Sequence, residues 1–337
     1  MLKYSKAELN RQAKELGFVR DTFEKVCRLA DVLTFMESDP LLADSLSLKG
    51  GTAINLTIFN LPRLSVDIDL DFSKDVSREP MLAERKQIHA HIQKYMEAAG
   101  YSLSLKSKQY HALDSFVYEY INAGGMKDNL KIEINYMLRC HVLPVSRRLV
   151  HLPWNDTELM VLSVDPMEIF AAKTVALLNR AAPRDLYDMF NMQKYGLFDE
   201  TQERLFKKCV MFYSAIASEN VPAEYDLEGF GIISTQKIKT DLTPVLRRGE
   251  RFDLADAQKQ VKTYLSDILK PEDTELAFWQ AFADGKYQPE LLFDDADILA
   301  RIAHHPMALW KCGGCGAVQK EGAVKIYAQN CLQAPAE

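Results

Sequence analysis

One run of strict alternation constrains this chain more than any other feature. From Ser65 to Phe72 it reads SVDIDLDF, placing Ser65, Asp67, Asp69 and Asp71 on one side of an extended strand and Val66, Ile68, Leu70 and Phe72 on the other. One face belongs to a core and the other is acidic. Three like charges on one strand face repel one another unless something cationic compensates. Upstream, KGGT (Lys49 to Thr52) marks a turn from a short apolar stretch into a helix expected to begin near Thr52 and to end before Leu61 and Pro62. Glycines there let backbone amides approach a phosphate, and the helix N-terminus adds positive potential. Asp67 and Asp69 then offer two hard oxygen ligands of the kind magnesium takes, and phosphoryl or nucleotidyl transfer depends mainly on such positioning and charge neutralisation.

The rest of the pattern supplies a frame. Apolar spacing from Ala7 to Ser38 predicts helices with one buried face, and Met81 to Ala99 predicts a charged amphipathic helix closed by Gly100. Tyr101 to Leu105, Asp114 to Tyr120 and Leu130 to Leu138 alternate as strands. In the last of these, Lys131, Glu133 and Asn135 share the polar face, so Glu133 is the candidate third carboxylate beside the Asp67 strand. Helical spacing returns after Pro166, and a second helix is expected with Pro183 at its first position. Lys173 and Arg180 share one helix face there. Together with Arg184, Asp185 and Asp188 they read either as phosphate contacts or as a buried ion-pair network. Weak periodicity from Ser218 to Gly249 places the expected division between residues 1–217, a core with N-terminal helices, and residues 218–337, mainly helical with a CxxC-containing tail.

Composition excludes several classes. The chain has 337 residues, 47% of them hydrophobic and 26% charged, which is ordinary globular usage. A net charge of −6 argues against coating nucleic acid by bulk positive charge. No uncharged apolar run approaches the ~18 residues of a membrane span, so a soluble, cytoplasmic protein is expected. The six cysteines have no disulfide framework. Cys312 and Cys315 supply two of the four ligands of a structural zinc, which His304, His305 or Cys331 would have to complete; the alternative is a pair of reduced thiols.

Three ordered segments carry a resemblance: KGGTAINL, then LPRLSVDIDLDF, then AAKTVALLNRAAPRDLYDMF. Together they resemble the AbiEii/AbiGii toxin family within the DNA polymerase β-like nucleotidyltransferases, over roughly Leu16 to Phe198. The resemblance implies an α+β fold: a polymerase β-like core with a mixed sheet flanked by helices, followed by a helical C-terminal region. It implies a toxin of a bacterial toxin–antitoxin or phage-defence system that transfers a nucleotide from a nucleoside triphosphate to RNA, in some members to the 3′ end of tRNA, with Mg²⁺ or Mn²⁺. Gly50, Gly51 and Thr52 match the phosphate-binding turn, Arg63 and Ser65 the residues preceding the metal pair, and Asp67 and Asp69 that pair. Glu133 fits the third acid. Lys173 matches a triphosphate-contacting lysine, and Arg180, Arg184, Asp185 and Asp188 match the downstream signature. Asp71 is an additional acid, so Asp69 and Asp71 are an alternative metal pair. A cognate antitoxin encoded nearby is implied, whether or not it touches the toxin. Transfer to a protein or small molecule, and nucleotide binding without turnover, are the rival functions.

Overall fold

The computed structural model describes residues 4–155, 158–218, 221–222 and 224–313. They cluster into two compact units. The first comprises the described residues of Met1–Arg139, Pro144–Val164 and Pro244–Glu250, and the second those of Cys140–Leu143, Asp165–Thr243 and Arg251–Glu337.

The first unit opens with α1 (Lys6–Leu16), whose Ser5 cap accepts from the Glu8 amide at 3.1 Å and whose end is turned by Gly17 at φ +81°. Next come α2 (Arg20–Ser38), α3 (Pro40–Ser45), β1 (Leu46–Lys49) and α4 (Gly50–Ala53), which widens into a π-type turn over Ile54–Ile58. The chain continues through β2 (Asp67–Phe72), α5 (Arg78–Ala98), β3 (Ser102–Leu103), β4 (Lys108–Gln109), β5 (Leu113–Ile121), β6 (Lys127–Asn135), β7 (Ser146–Val150) and β8 (Leu159–Ser163).

These strands form one mixed sheet in the order β3-β5-β6-β2-β1-β8-β7, with β4 also on β5. β2 is its hinge in topology, antiparallel to β1 and parallel to β6. Ile68, Phe72, Ile132 and Ile134 are fully buried on one face, and Phe116 stacks on His89 of α5 at 4.7 Å. Each such side chain contributes about 1.5–3 kcal/mol on burial, which fixes the register and forces Asp67, Asp69 and Asp71 to the opposite face.

The second unit is helical: α6 (Pro166–Arg180), α7 (Pro183–Lys194), α8 (Glu200–Ala217), α9 (Thr235–Lys237), α10 (Leu254–Ile268), α11 (Asp273–Ala283), α12 (Ala296–Ile302) and α13 (Pro306–Lys311). Asp165 caps α6, Pro166 and Pro183 occupy first-turn positions, and Asp199 with Gln202 forms a capping box on α8. The division between the units therefore falls near residue 164, whereas the periodicity placed it at 217/218. The reason is packing: α7 and α8 pack against the later helices, with Phe212 of α8 against Phe278 and Phe293, and Tyr187 against Phe252. Residues Pro244–Glu250 depart from the helical region and belong with the sheet, where Leu64 donates to the Val245 carbonyl at 2.8 Å.

Candidate active site

Within the first unit, the glycine turn and the acidic strand are built against each other. Gly50 has φ +67°, a left-handed conformation that disfavours side chains, and a Cβ placed there would overlap the Asp69 carboxylate. A Cβ on Gly51 would lie 2.8 Å from Ser65 Oγ and 3.0 Å from the Arg63 guanidinium. The turn is thus lined by Asp69, Ser65 and Arg63, and it is glycine because those groups approach it. Buried Asn55 ties it down: its amide donates to the Gly51 carbonyl at 2.7 Å, and its Oδ1 accepts the Arg63 amide at 3.3 Å. The fully buried Thr52 hydroxyl donates to the Asp67 main-chain carbonyl, fastening α4 to β2.

Across the sheet, register sets the charges. Asp69 stands opposite Glu133 on β6 and opposite Lys49 on β1; Asp67 stands opposite Lys131, and Asp71 opposite Asn135. Lys49 Nζ lies 2.5 Å from Asp71 Oδ1, and Lys131 Nζ lies 3.1 Å from Glu133 Oε1. Burial pushes the Asp71 carboxyl up to about 6 against the pull of Lys49, with the Asp69 charge adding to the rise. Burial, and then the charge of Asp69, also raise the Glu133 carboxyl, while Lys131 and Ser115 pull it down.

Among the described residues no group of three His, Cys, Asp or Glu side chains is gathered into a metal-holding cluster. Lysines hold two of the four acids instead. The donor chemistry nevertheless fits a divalent cation. Asp69 and Glu133 are carboxylates at directly opposed positions of β2 and β6, hard oxygen donors of the kind a divalent cation takes.

The second unit holds the other predicted residues. Lys173 Nζ lies 2.9 Å from Asp185 and 3.3 Å from Asp188, and Arg180 Nε lies 2.7 Å from Asp185. Both aspartates are 1% exposed. Burial alone would raise the Asp185 carboxyl, but Lys173 and Arg180 outweigh it and hold that group well below the usual carboxylate range. Arg184 donates to the Asp241 carbonyl at 2.7 Å. The buried ion-pair reading of this segment is what the side chains form.

With that geometry in place, comparison with known proteins is decisive. A family model described as nucleotidyl transferase AbiEii toxin, type IV TA system, matches residues 34–284. The chain belongs to the AbiEii family. It is a toxin nucleotidyltransferase of a type IV toxin–antitoxin system, which implies an antitoxin and a nucleoside triphosphate substrate. No curated protein matches the chain. Among solved structures it is similar in fold to MenT4, a nucleotidyltransferase toxin from Mycobacterium tuberculosis H37Rv, with a TM-score of 0.59 and 16% identity, over 91% of this chain and 99% of that one. The mixed α+β architecture agrees with that expected from the sequence. Nucleotidyltransferases of this kind generally use a divalent metal.

Other residues of this AbiEii chain escaped the sequence reading. The partners of Lys49 and Lys131 emerge only from the strand register, and the role of Asn55 only from the folded turn it ties down. Arg247 donates to the Leu61 carbonyl at 3.1 Å and covers Phe18, and exposed Lys262 pairs with Glu228. Cys315 and Cys331 lie outside the described residues; His305 is buried against Phe212 and accepts from the Ala308 amide at 3.3 Å. No helix among the described residues is long and apolar enough to cross a membrane.

Proposed function

We propose that the acidic face of β2 and the Gly50–Gly51 turn form the active site of a magnesium- or manganese-dependent transferase that adds a nucleotide to the 3′ end of RNA, with tRNA as the acceptor class. The observation that carries this reading is the close approach of Asp69 to Gly50 together with its register opposite Glu133. The amides of Gly50, Gly51 and Thr52 bind the triphosphate, and Arg63 and Ser65 line the same turn. Asp67, Asp69 and Glu133 would hold a divalent cation, which when bound would neutralise triphosphate charge and polarise the α-phosphoryl group.

In the reaction the acceptor hydroxyl attacks the α-phosphorus, its proton passes to Glu133, and the bond to the β-phosphate oxygen breaks to release pyrophosphate. Glu133, directly opposite Asp69 in the strand register, is placed to take that proton. Lys173, Arg180, Arg184, Asp185 and Asp188 match the family's nucleotide-binding signature, and in this chain Asp185 and Asp188 pair with Lys173. The reading places the toxin in the cytoplasm, in a role that includes phage defence.

Incubation with each α-labelled triphosphate, magnesium and total bacterial RNA tests the acceptor. Label on a tRNA-sized band that RNase removes is expected. The net charge of −6 favours a protein or small-molecule acceptor as the second reading; label that survives RNase would select it, and bound nucleotide without pyrophosphate would leave a non-catalytic sensor.

A further inference from the structure

Lys49 ends β1 one residue before the glycine turn and stands opposite Asp69 in the antiparallel register. Its side chain, 24% exposed, reaches along the strand to Asp71, which is buried, and places its ammonium 2.5 Å from Oδ1. Asp71 is chemically identical to Asp67 and Asp69 and shares their face. A cation offered three carboxylates at two-residue spacing has more than one seat. A shift by one such step moves it roughly 6.6 Å along β2, two residues at about 3.3 Å each. That distance separates it from the Gly50 turn, where the triphosphate is proposed to bind. The partners across β6 also differ: Asp69 faces Glu133, whereas Asp71 faces neutral Asn135.

We infer that Lys49 is a positioning residue that withholds Asp71 from the cation, so that coordination centres on Asp69 and Glu133 beside the glycine turn. The inference rests on the metal-dependent reading proposed above. Lysine suits the task as a compact charge on a flexible stem that neutralises one carboxylate without demanding a second. Its place in the chain matters equally, because it is bonded to Gly50 and moves only with the turn. The lysine therefore links metal placement to phosphate placement.

The test uses the full chain as wild type, Lys49→Met and Lys49→Met/Asp71→Asn. Mn²⁺ binding without nucleotide is followed by the electron paramagnetic resonance of free Mn²⁺, alongside pyrophosphate release at saturating Mn²⁺ and thermal unfolding. In Lys49→Met the released Asp71 is expected to tighten Mn²⁺ binding while transfer falls by about 10- to 100-fold, the range known for groups that hold a ligand in place. The double variant is expected to return both quantities close to wild type. A purely structural ion pair would lower only the melting temperature, leaving Mn²⁺ affinity and turnover of the folded Lys49→Met enzyme unchanged, and that result overturns the inference. Should Lys49→Met not fold, the double variant carries the test, and loss of its transfer with the fold intact overturns it as well. Asp67→Ala/Asp69→Ala serves as the control. If wild type and control bind Mn²⁺ equally, the metal reading itself fails, and the role of Lys49 with it.

Discussion

Asp69 and Glu133 face each other directly across the parallel strands β2 and β6, and burial, then the Asp69 charge, raise the proton affinity of Glu133. Two carboxylates held this way destabilise the fold slightly and gain their use from a cation or a proton. Asp69→Asn is therefore expected to lower pyrophosphate release by about three decades or more, since metal-assisted charge stabilisation contributes several kcal/mol. Its melting temperature should equal or exceed that of wild type. A variant that melts much earlier would show that Asp69 is a structural residue.

Gly50→Ala places a methyl group where the Asp69 carboxylate lies, at a backbone φ of +67°. The left-handed conformation alone costs about 1–2 kcal/mol, and the clash displaces Asp69 from the turn. Transfer is expected to fall further than stability does. Urea unfolding compared with kcat/KM measures both, and an Ala variant with normal turnover would contradict the close approach.

Asn55→Ala removes the bridge between the Gly51 carbonyl and the Arg63 amide. Leaving those buried groups unsatisfied costs about 1–3 kcal/mol. The loosened turn should raise KM for the nucleoside triphosphate more than it lowers kcat, which steady-state kinetics at several triphosphate concentrations will show.

Asp185→Asn breaks a buried network whose aspartate is held ionised by Lys173 and Arg180. Removing one partner of such a pair typically costs about 3–5 kcal/mol. Because the folded-state pKa of Asp185 is depressed, its contribution is present above the ordinary aspartate pKa and lost as pH falls through the depressed value. The stability gap between wild type and variant should therefore stay constant from about pH 8 to pH 5 and shrink only in strongly acid solution below the unfolded aspartate pKa of about 3.9. Urea titrations across that range check the sign; a gap that widens toward acid pH would contradict it.

The alternation of SVDIDLDF made the two faces of β2 legible, because period-two burial is a local property. Helices at Pro166 and Pro183 were legible for the same reason, as proline at a first turn needs no tertiary information. Observed pairing begins at Asp67, two residues into the alternating run, because Leu64 is bonded to the returning Val245 segment. That return, 181 residues downstream, leaves no periodic trace. Nor did the sequence distinguish Asp71 from its two neighbours: the distinction lies in burial and in Lys49, which only the β1–β2 register brings near. The Lys173 segment left two readings open, and it is the packing of α6 on α7 that buries Asp185 and Asp188 to make the ion pairs.

Pyrophosphate release by the purified chain, with each nucleoside triphosphate, Mg²⁺ and bacterial RNA, beside the Asp67→Ala/Asp69→Ala variant, tests the central claim most directly. The account predicts RNA-dependent release by wild type and none by a variant that keeps its fold. Equal release by both proteins would contradict the assignment of nucleotidyl transfer to the acidic face of β2.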